Sequence, residues 1–266
     1  MINYIQSIEE AKQIVEQIRL RRLRPEESGL FELFRGQCSE SYKLIPSLFR
    51  NPSAFATYDS PADMERKLLD EFLKRLTTAE QKHKLLLNRW NDPNLFSWEL
   101  PAQVQHYGLP TRLLDWSWSW EIALFFATKW NLKEGESNDG QFWVLLPKTP
   151  ATSSFLRFEY PYLSETCFVK LDFSDSDTAE QETAERRRNY QDGVFVAQPD
   201  NLATQPLEEQ PDFPGTFQKF IIPGECKLGI RAELATRGFV HDAVLVVDEP
   251  HIAELVSEIK AVSHMS

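Results

Sequence analysis

Apolar residues recur at helical spacing through the first part of the chain and give way to strand-like runs later. Ser7-Ile8-Glu9-Glu10 forms a capping box, with Glu10 three residues after Ser7. Ala11, Ile14, Val15 and Ile18 then fall on one face, which predicts an amphipathic helix from about Ile8 to Leu23. Leu30 to Phe34 alternates imperfectly and predicts a short strand that opens into a turn at Arg35-Gly36. Ser60-Pro61 places proline at a first helical position, and Met64, Leu68, Phe72 and Leu76 line one face of the helix that follows. A further helix is predicted over Thr78 to Trp90. Another covers Leu95 to Tyr107, where Pro101 either starts the helix or kinks it.

From about Trp118 to Leu132 the pattern is apolar almost all round, which predicts a central, buried helix. Gln141 to Leu146 reads as a buried strand. Thr166 to Phe173, Gly193 to Gln198, Phe217 to Ile222 and Ala243 to Val247 read as further strands. Ser174 to Asn189 is polar and charged, a helix or a loop. Asn201 to Gly215 carries three prolines and several acids, and predicts an exposed loop. Glu225 to Arg237 predicts a helix stopped by Gly238, and Pro250 to Lys260 closes the chain as another. Helices come first, and strands interleaved with fewer helices follow. The expected fold is a single α+β domain, with a helical amino-terminal half packed on a mostly antiparallel sheet.

Composition narrows the function classes. The 266 residues are 42% hydrophobic and 12% aromatic, with seven Trp and eighteen Phe, enough for a sizeable core. A net charge of −11 argues against generic nucleic-acid binding, which needs a basic surface. Arg19, Arg21, Arg22 and Arg24, and then Arg186, Arg187 and Arg188, form local basic clusters, read either as solvated helical faces or as local sites. Cys38, Cys167 and Cys226 are odd in number and far apart, so neither a disulfide framework nor a zinc site is expected. No signal peptide is seen, and no apolar run approaches the roughly 20 residues of a membrane span. The expectation is a soluble, cytoplasmic protein with no membrane partner.

The chemistry concentrates between Gln105 and Ser117, in Gln105-His106-Tyr107-Gly108-Leu109-Pro110-Thr111-Arg112-Leu113-Leu114-Asp115-Trp116-Ser117. Gly108 and Pro110 predict a turn there, set against the apolar helix that follows. His106 titrates near neutrality and is the candidate general acid–base, although a histidine at a helix end also serves as a donor to a backbone carbonyl. Arg112 and Asp115, three apart, either pair to fix the turn or present one face to a ligand. One of Asp115, Ser117 and Ser119 is expected to cap the apolar helix, whose first N–H groups form an anion site that Thr111 and Arg112 can join. Trp116, Trp118 and Trp120 read as packing. Arg35 ends an apolar strand, and its guanidinium either grips a phosphate or carboxylate or pairs with a buried acid such as Asp115. Gly36 lets a ligand or another backbone approach. No Gly-rich phosphate loop, Gly-x-Ser-x-Gly elbow or metal-binding histidine pair occurs, so no metal is expected.

Three segments carry a family resemblance. The first is Leu33-Phe34-Arg35-Gly36-Gln37 with Leu44-Ile45-Pro46-Ser47-Leu48-Phe49-Arg50. The second is Gln105 to Ser117, continuing into Ala123-Leu124-Phe125-Phe126-Ala127. The third is Gln191-Asp192-Gly193-Val194-Phe195 with Phe220-Ile221-Ile222-Pro223 and a helix ending at Gly238. Together they resemble the FRG domain family, named for its Phe-Arg-Gly signature. The resemblance implies an amino-terminal helix over residues 1–28 and an FRG domain over 29–266, with its core at about 30–251.

The motif layout is also similar to ADP-ribosyltransferase folds, and the family is associated with bacterial defence or toxin contexts. By that resemblance Arg35 holds the phosphates of a dinucleotide, and Ser117 or Thr111 shapes the nicotinamide pocket. The third position, a glutamate in those transferases, is matched here by Gln191 and Asp192, and Gln191 contacts the nicotinamide ribose. The site it implies has Arg35, His106, Asp115 and Gln191 in catalytic roles, with Gly36, Gln37, Thr111, Arg112 and Ser117 lining the ligand. NAD is then a substrate and no cofactor is expected. The implied activity is ADP-ribosyl transfer or NAD cleavage, acting on a small nucleotide and on a protein target or with a defence partner. The missing glutamate favours the alternative, a non-catalytic module that senses a nucleotide or a phage component.

Overall fold

Eight strands form one sheet, and their order decides which residues meet. The computed structural model describes residues 3–21, 31–75, 96–129, 138–149, 152–153, 155–156, 165–170, 193–240 and 250–262. In chain order the strands are β1 (Asn3–Tyr4), β2 (Leu33–Gln37), β3 (Phe96–Ser97), β4 (Leu113–Ser117), β5 (Gly140–Pro147), β6 (Thr152–Ser153), β7 (Phe155–Leu156), β8 (Cys167–Lys170), β9 (Gly193–Ala197) and β10 (Gly215–Ile222). The helices are α1 (Ile8–Arg21), α2 (Pro61–Arg75), α3 (Glu99–His106), α4 (Trp120–Ala127), α5 (Gly224–Thr236) and α6 (Pro250–Val262). The sheet runs β1-β10-β5-β2-β4-β9-β8-β6, and β3 pairs with β7 apart from it. Five of its seven pairings are antiparallel, and β1–β10 and β6–β8 are parallel. With α1 to α4 all drawn from the amino-terminal half, this is the expected α+β architecture.

The helix starts follow their sequence signals. Ser7 Oγ accepts from the Glu10 N–H at 3.2 Å, and the Glu10 carboxylate accepts from the Gln6 N–H at 2.8 Å. Ile8, Ala11, Val15 and Ile18 of α1 are buried, as the periodicity requires. Ser60 Oγ caps α2 through the Asp63 N–H at 3.0 Å. Pro101 sits in the first turn of α3, where its missing N–H breaks no helical bond. Gly238, at φ +91°, ends the turn after α5.

The sheet is covered differently on its two faces. On one, Phe34, Phe142, Val144, Phe220 and Ile222 pack under α1, α4 and α5. On the other, Leu33, Leu114, Trp116, Trp143 and Leu145 pack with Leu44, Leu207 and Phe213 from loops. A separate cluster joins α2, α3, α6 and the 3₁₀ turn Ser47–Phe49.

Three expectations need correction. The strand around Phe34 does not end at Arg35-Gly36. Full pairing with β5, from Leu33 opposite Leu145 to Gln37 opposite Gln141, carries it two residues beyond Gly36's predecessor, to Gln37. The motif read as a turn becomes a central strand from Leu113 onward, since its five residues pair with β9. The segment 201–215, read as an exposed loop, buries Ala203, Leu207 and Phe213 against the sheet and the helices. The helix read over Thr78 to Trp90, the strand at Ala243 to Val247 and the segment Ser174 to Asn189 lie outside the described residues.

Candidate functional site

The site begins where the sheet opens. β2 and β4 share a single pair, Phe34 opposite Ser117, although each is paired over five residues on its outer side. Continuing the antiparallel register would set Arg35 opposite Trp116 and Gly36 opposite Asp115, but no such pairing forms. The strands part, and the Arg35 side chain spans the gap. Its Nη1 donates to the Asp115 carbonyl at 2.5 Å and lies 3.9 Å from a carboxylate oxygen of the same residue. Its Nε is buried without a hydrogen-bond partner.

Burial pushes the Arg35 pKa down to about 10; Asp115 opposes that fall and Arg50 adds to it. Burial likewise raises the Asp115 pKa, against Arg35, the Gln105 hydrogen bond and Arg50, which favour the charged form. Yet 60% of the Asp115 side chain is open to solvent, against 15% for Arg35. Water reaches the carboxylate, while the protein groups around it weaken its hydration. Asp115 is thus open to solvent where β2 and β4 part, and this opening is the cleft that Arg35 spans.

Neighbouring elements hold this carboxylate still. Gln105, near the end of α3, donates from Nε2 to both Asp115 oxygens at 2.8 Å. The Thr111 hydroxyl donates in turn to Gln105 Oε1 and accepts from the Leu113 N–H at 3.3 Å. Ser47 fixes Thr111 by accepting from its N–H at 3.2 Å and donating to its carbonyl at 3.4 Å.

Arg50 follows the same pinned turn, where Leu48 N–H donates to the Thr111 carbonyl at 3.1 Å. Its Nε donates to the Ile45 carbonyl at 3.0 Å, which fixes one edge of the guanidinium. Burial lowers its pKa, while Asp115 and Tyr42 act to raise it. Arg35, Arg50 and Asp115 therefore form one electrostatic cluster carrying two cations and one anion. Sequence reasoning passed over Arg50 and Gln105 as site residues; the available signal was their position at the ends of the quoted motif segments.

The other candidates are placed elsewhere. Arg112 is 1% exposed, with N–H and Nε bonded to the Glu65 carboxylate at 2.8 and 2.5 Å and Nη2 3.1 Å from Asp200. It neither pairs with Asp115 nor lines the cleft, because its charge is neutralised in the interior. Thr111 is 0% exposed, with its hydroxyl committed as above, so it does not line a ligand directly. Gly36 faces protein: a Cβ there would lie 1.8 Å from the Ala123 carbonyl oxygen, so the close approach is that of the α4 backbone. Gln37 is buried, and its Nε2 donates to the Lys43 carbonyl at 3.2 Å.

Ser117 stands at the closed end of the gap and accepts from the Ser119 N–H at 3.0 Å. Ser119 is the residue that caps α4, accepting from the Ile122 N–H at 3.3 Å. With Glu121 accepting from the Ser119 hydroxyl at 2.9 Å, that helix start already carries a cap and a negative charge, and so has no need of a bound anion. His106 is exposed at the end of α3, its ring edge-on to Tyr107 with centroids 5.5 Å apart. Gln191 lies outside the described residues. Among the described residues, no group of three or more His, Cys, Asp or Glu is arranged to hold a metal. No helix among them is long and apolar enough to cross a membrane.

Residues 32–136 match the family model of the FRG domain. The matched segment contains Arg35, Arg50, Gln105 and Asp115, and thus the whole cluster at the opening of the sheet. No curated protein and no solved structure matches the chain.

Proposed function

We propose that the cleft between β2 and β4 binds NAD and breaks its nicotinamide–ribose bond, as an ADP-ribosyltransferase-like or NAD-cleaving enzyme of bacterial defence or toxin type. The observation that carries this reading is the convergence of Arg35 and Arg50 on Asp115 where the two strands part. Two guanidiniums suit a diphosphate, since each offers paired N–H donors to phosphate oxygens.

The bond to break joins the ribose anomeric carbon to a pyridinium nitrogen. When it breaks, the electron pair stays on nicotinamide, which leaves neutral, and positive charge passes to the ribose. A fixed carboxylate beside that ribose lowers the barrier by stabilising the charge as it develops. Asp115 fills this role. Water or a protein side chain then forms the new bond to the anomeric carbon and releases its proton to solvent.

The test is incubation of the purified protein with NAD and cell lysate, with nicotinamide and labelled products read by mass spectrometry. The wild type is expected to release nicotinamide, and Arg35→Ala to lose about 10²-fold or more of that rate, the usual consequence of deleting a charge-stabilising group. Equal release by both proteins removes Arg35 from the chemistry. Silence from a folded wild type overturns the enzyme reading.

A second reading, a ligand-sensing module without chemistry, draws on one observation. Among the described residues the side chains acting on Asp115 are Arg35, Gln105 and Arg50, none of them an acid that would complete an acid–base pair. NAD binding lost in Arg35→Ala, with no product over hours, would establish it.

A further inference from the structure

We infer that Gln105 and Thr111 are positioning residues that hold Asp115 as a fixed, ionised hydrogen-bond acceptor, so that the ligand group meeting it is a cation or a hydroxyl donor. The inference rests on the cleft described above, though not on NAD as its ligand.

One hydrogen atom sets the orientation of this relay. The Thr111 hydroxyl accepts from the Leu113 N–H at 3.3 Å and gives its single proton to Gln105 Oε1. That choice sets which end of the Gln105 amide faces Asp115. The end is the NH₂ group, 2.8 Å from each carboxylate oxygen. A donor shared by both oxygens favours the charged carboxylate. Turning the amide over would aim its oxygen at those oxygens, an arrangement that requires a proton on Asp115. It would also strand the Thr111 hydroxyl proton in a fully buried position.

Thr111 has little freedom to adapt, because Ser47 holds its N–H and its carbonyl. The charged groups facing Asp115 are both cations, Arg35 from β2 and Arg50 from the segment after the 3₁₀ turn, and Gln105 of α3 is neutral. Burial acts in the opposite direction and pushes the carboxyl toward its protonated form. The Thr111–Gln105 relay acts against that pressure, together with Arg35 and Arg50. A proton shuttle needs both protonation states within reach, whereas this relay favours one, so Asp115 acts as a standing charge.

The experiment is a pH titration of the full chain labelled with ¹³C at aspartate carboxyls, with the Asp115 signal assigned by its loss in Asp115→Asn. The wild-type carboxyl is expected to be ionised at pH 7. Its midpoint should rise by about one pH unit in Thr111→Val and in Gln105→Leu, the scale expected when a hydrogen bond that favours the carboxylate is lost. Thr111→Ser, which keeps the hydroxyl, should restore the wild-type midpoint. A wild-type carboxyl protonated at pH 7 overturns the inference. So does a midpoint unmoved by Gln105→Leu, which decides alone if Thr111→Val fails to fold. No ligand enters this titration, so failure of the nicotinamide assay beside a shifted midpoint counts against NAD and leaves the relay standing.

Discussion

Gly36 separates what a residue's neighbours in sequence say from what its neighbours in space impose. Beside Arg35, a glycine invites the reading that a ligand comes close, and the sequence equally allowed another backbone. The structure chooses the backbone: the Ala123 carbonyl oxygen and the Ala127 nitrogen lie 1.8 and 2.5 Å from where a Cβ would stand. Both belong to α4 and neither is a flexible side-chain tip, so Gly36→Ala must displace the helix. Overpacking of a core commonly costs about 1–3 kcal/mol, and this change is expected at or above the upper end. Gly229, in the interior of α5, meets nothing within 4 Å. There alanine is expected to stabilise by about 0.5–1 kcal/mol through helix propensity. Denaturant unfolding of both variants checks the pair, and equal effects would show that α4 does not rest on β2 at Gly36. Arg35 itself was legible as the end of an apolar run followed by glycine. Arg50 was not, since its role depends on a turn pinned to Thr111.

At the scale of elements, the Gln105–Ser117 motif divides into two parts that the sequence runs together. Gly108, at φ +94°, ends α3 as the turn signals predict. The strand that begins at Leu113 owes its form to β9, which lies far along the chain and is invisible to local periodicity. Arg112 sits at the junction, and its partners are equally remote. Glu65 of α2 accepts from both its N–H and its Nε, and Asp200 stands beside Nη2. This clasp ties α2 to the start of β4 and so sets where Asp115 enters the cleft. Removing one member of a buried ion pair leaves the other charge stranded, at a cost of about 3–5 kcal/mol. Glu65→Ala is expected to lose that much in chemical denaturation, with secondary structure kept under native conditions. A loss below about 1 kcal/mol, typical of an exposed pair, would show that the Arg112 charge is satisfied without Glu65.

For the whole molecule, the cleft is a consequence of uneven cover. α1, α4 and α5 pack over the half of the sheet that contains β2, β5 and β10, while Trp98, Ala102 and Leu113 form their own small cluster beside β8 and β9. β2 follows the first half and β4 the second, and they separate at the seam where Arg35 reaches Asp115. The amino-terminal helix belongs to this arrangement. Ile8, Ala11, Val15 and Ile18 share a core with Phe34, Phe142 and Leu124, and β1 extends the sheet through β10. The sequence division that sets residues 1–28 apart as a helix preceding the domain is therefore open to a direct trial. Deleting residues 1–21 removes those four buried side chains and uncovers the apolar groups beneath them. Burying one such aliphatic side chain is worth about 1.5–3 kcal/mol, so losing several exceeds much of a typical domain's net stability of about 5–15 kcal/mol. The shortened chain is expected to lose its cooperative unfolding transition and to bind a hydrophobic dye in buffer. If it unfolds at the wild-type midpoint instead, α1 is an appendage, and the half of the sheet carrying Arg35 keeps its shape through α4 and α5 alone.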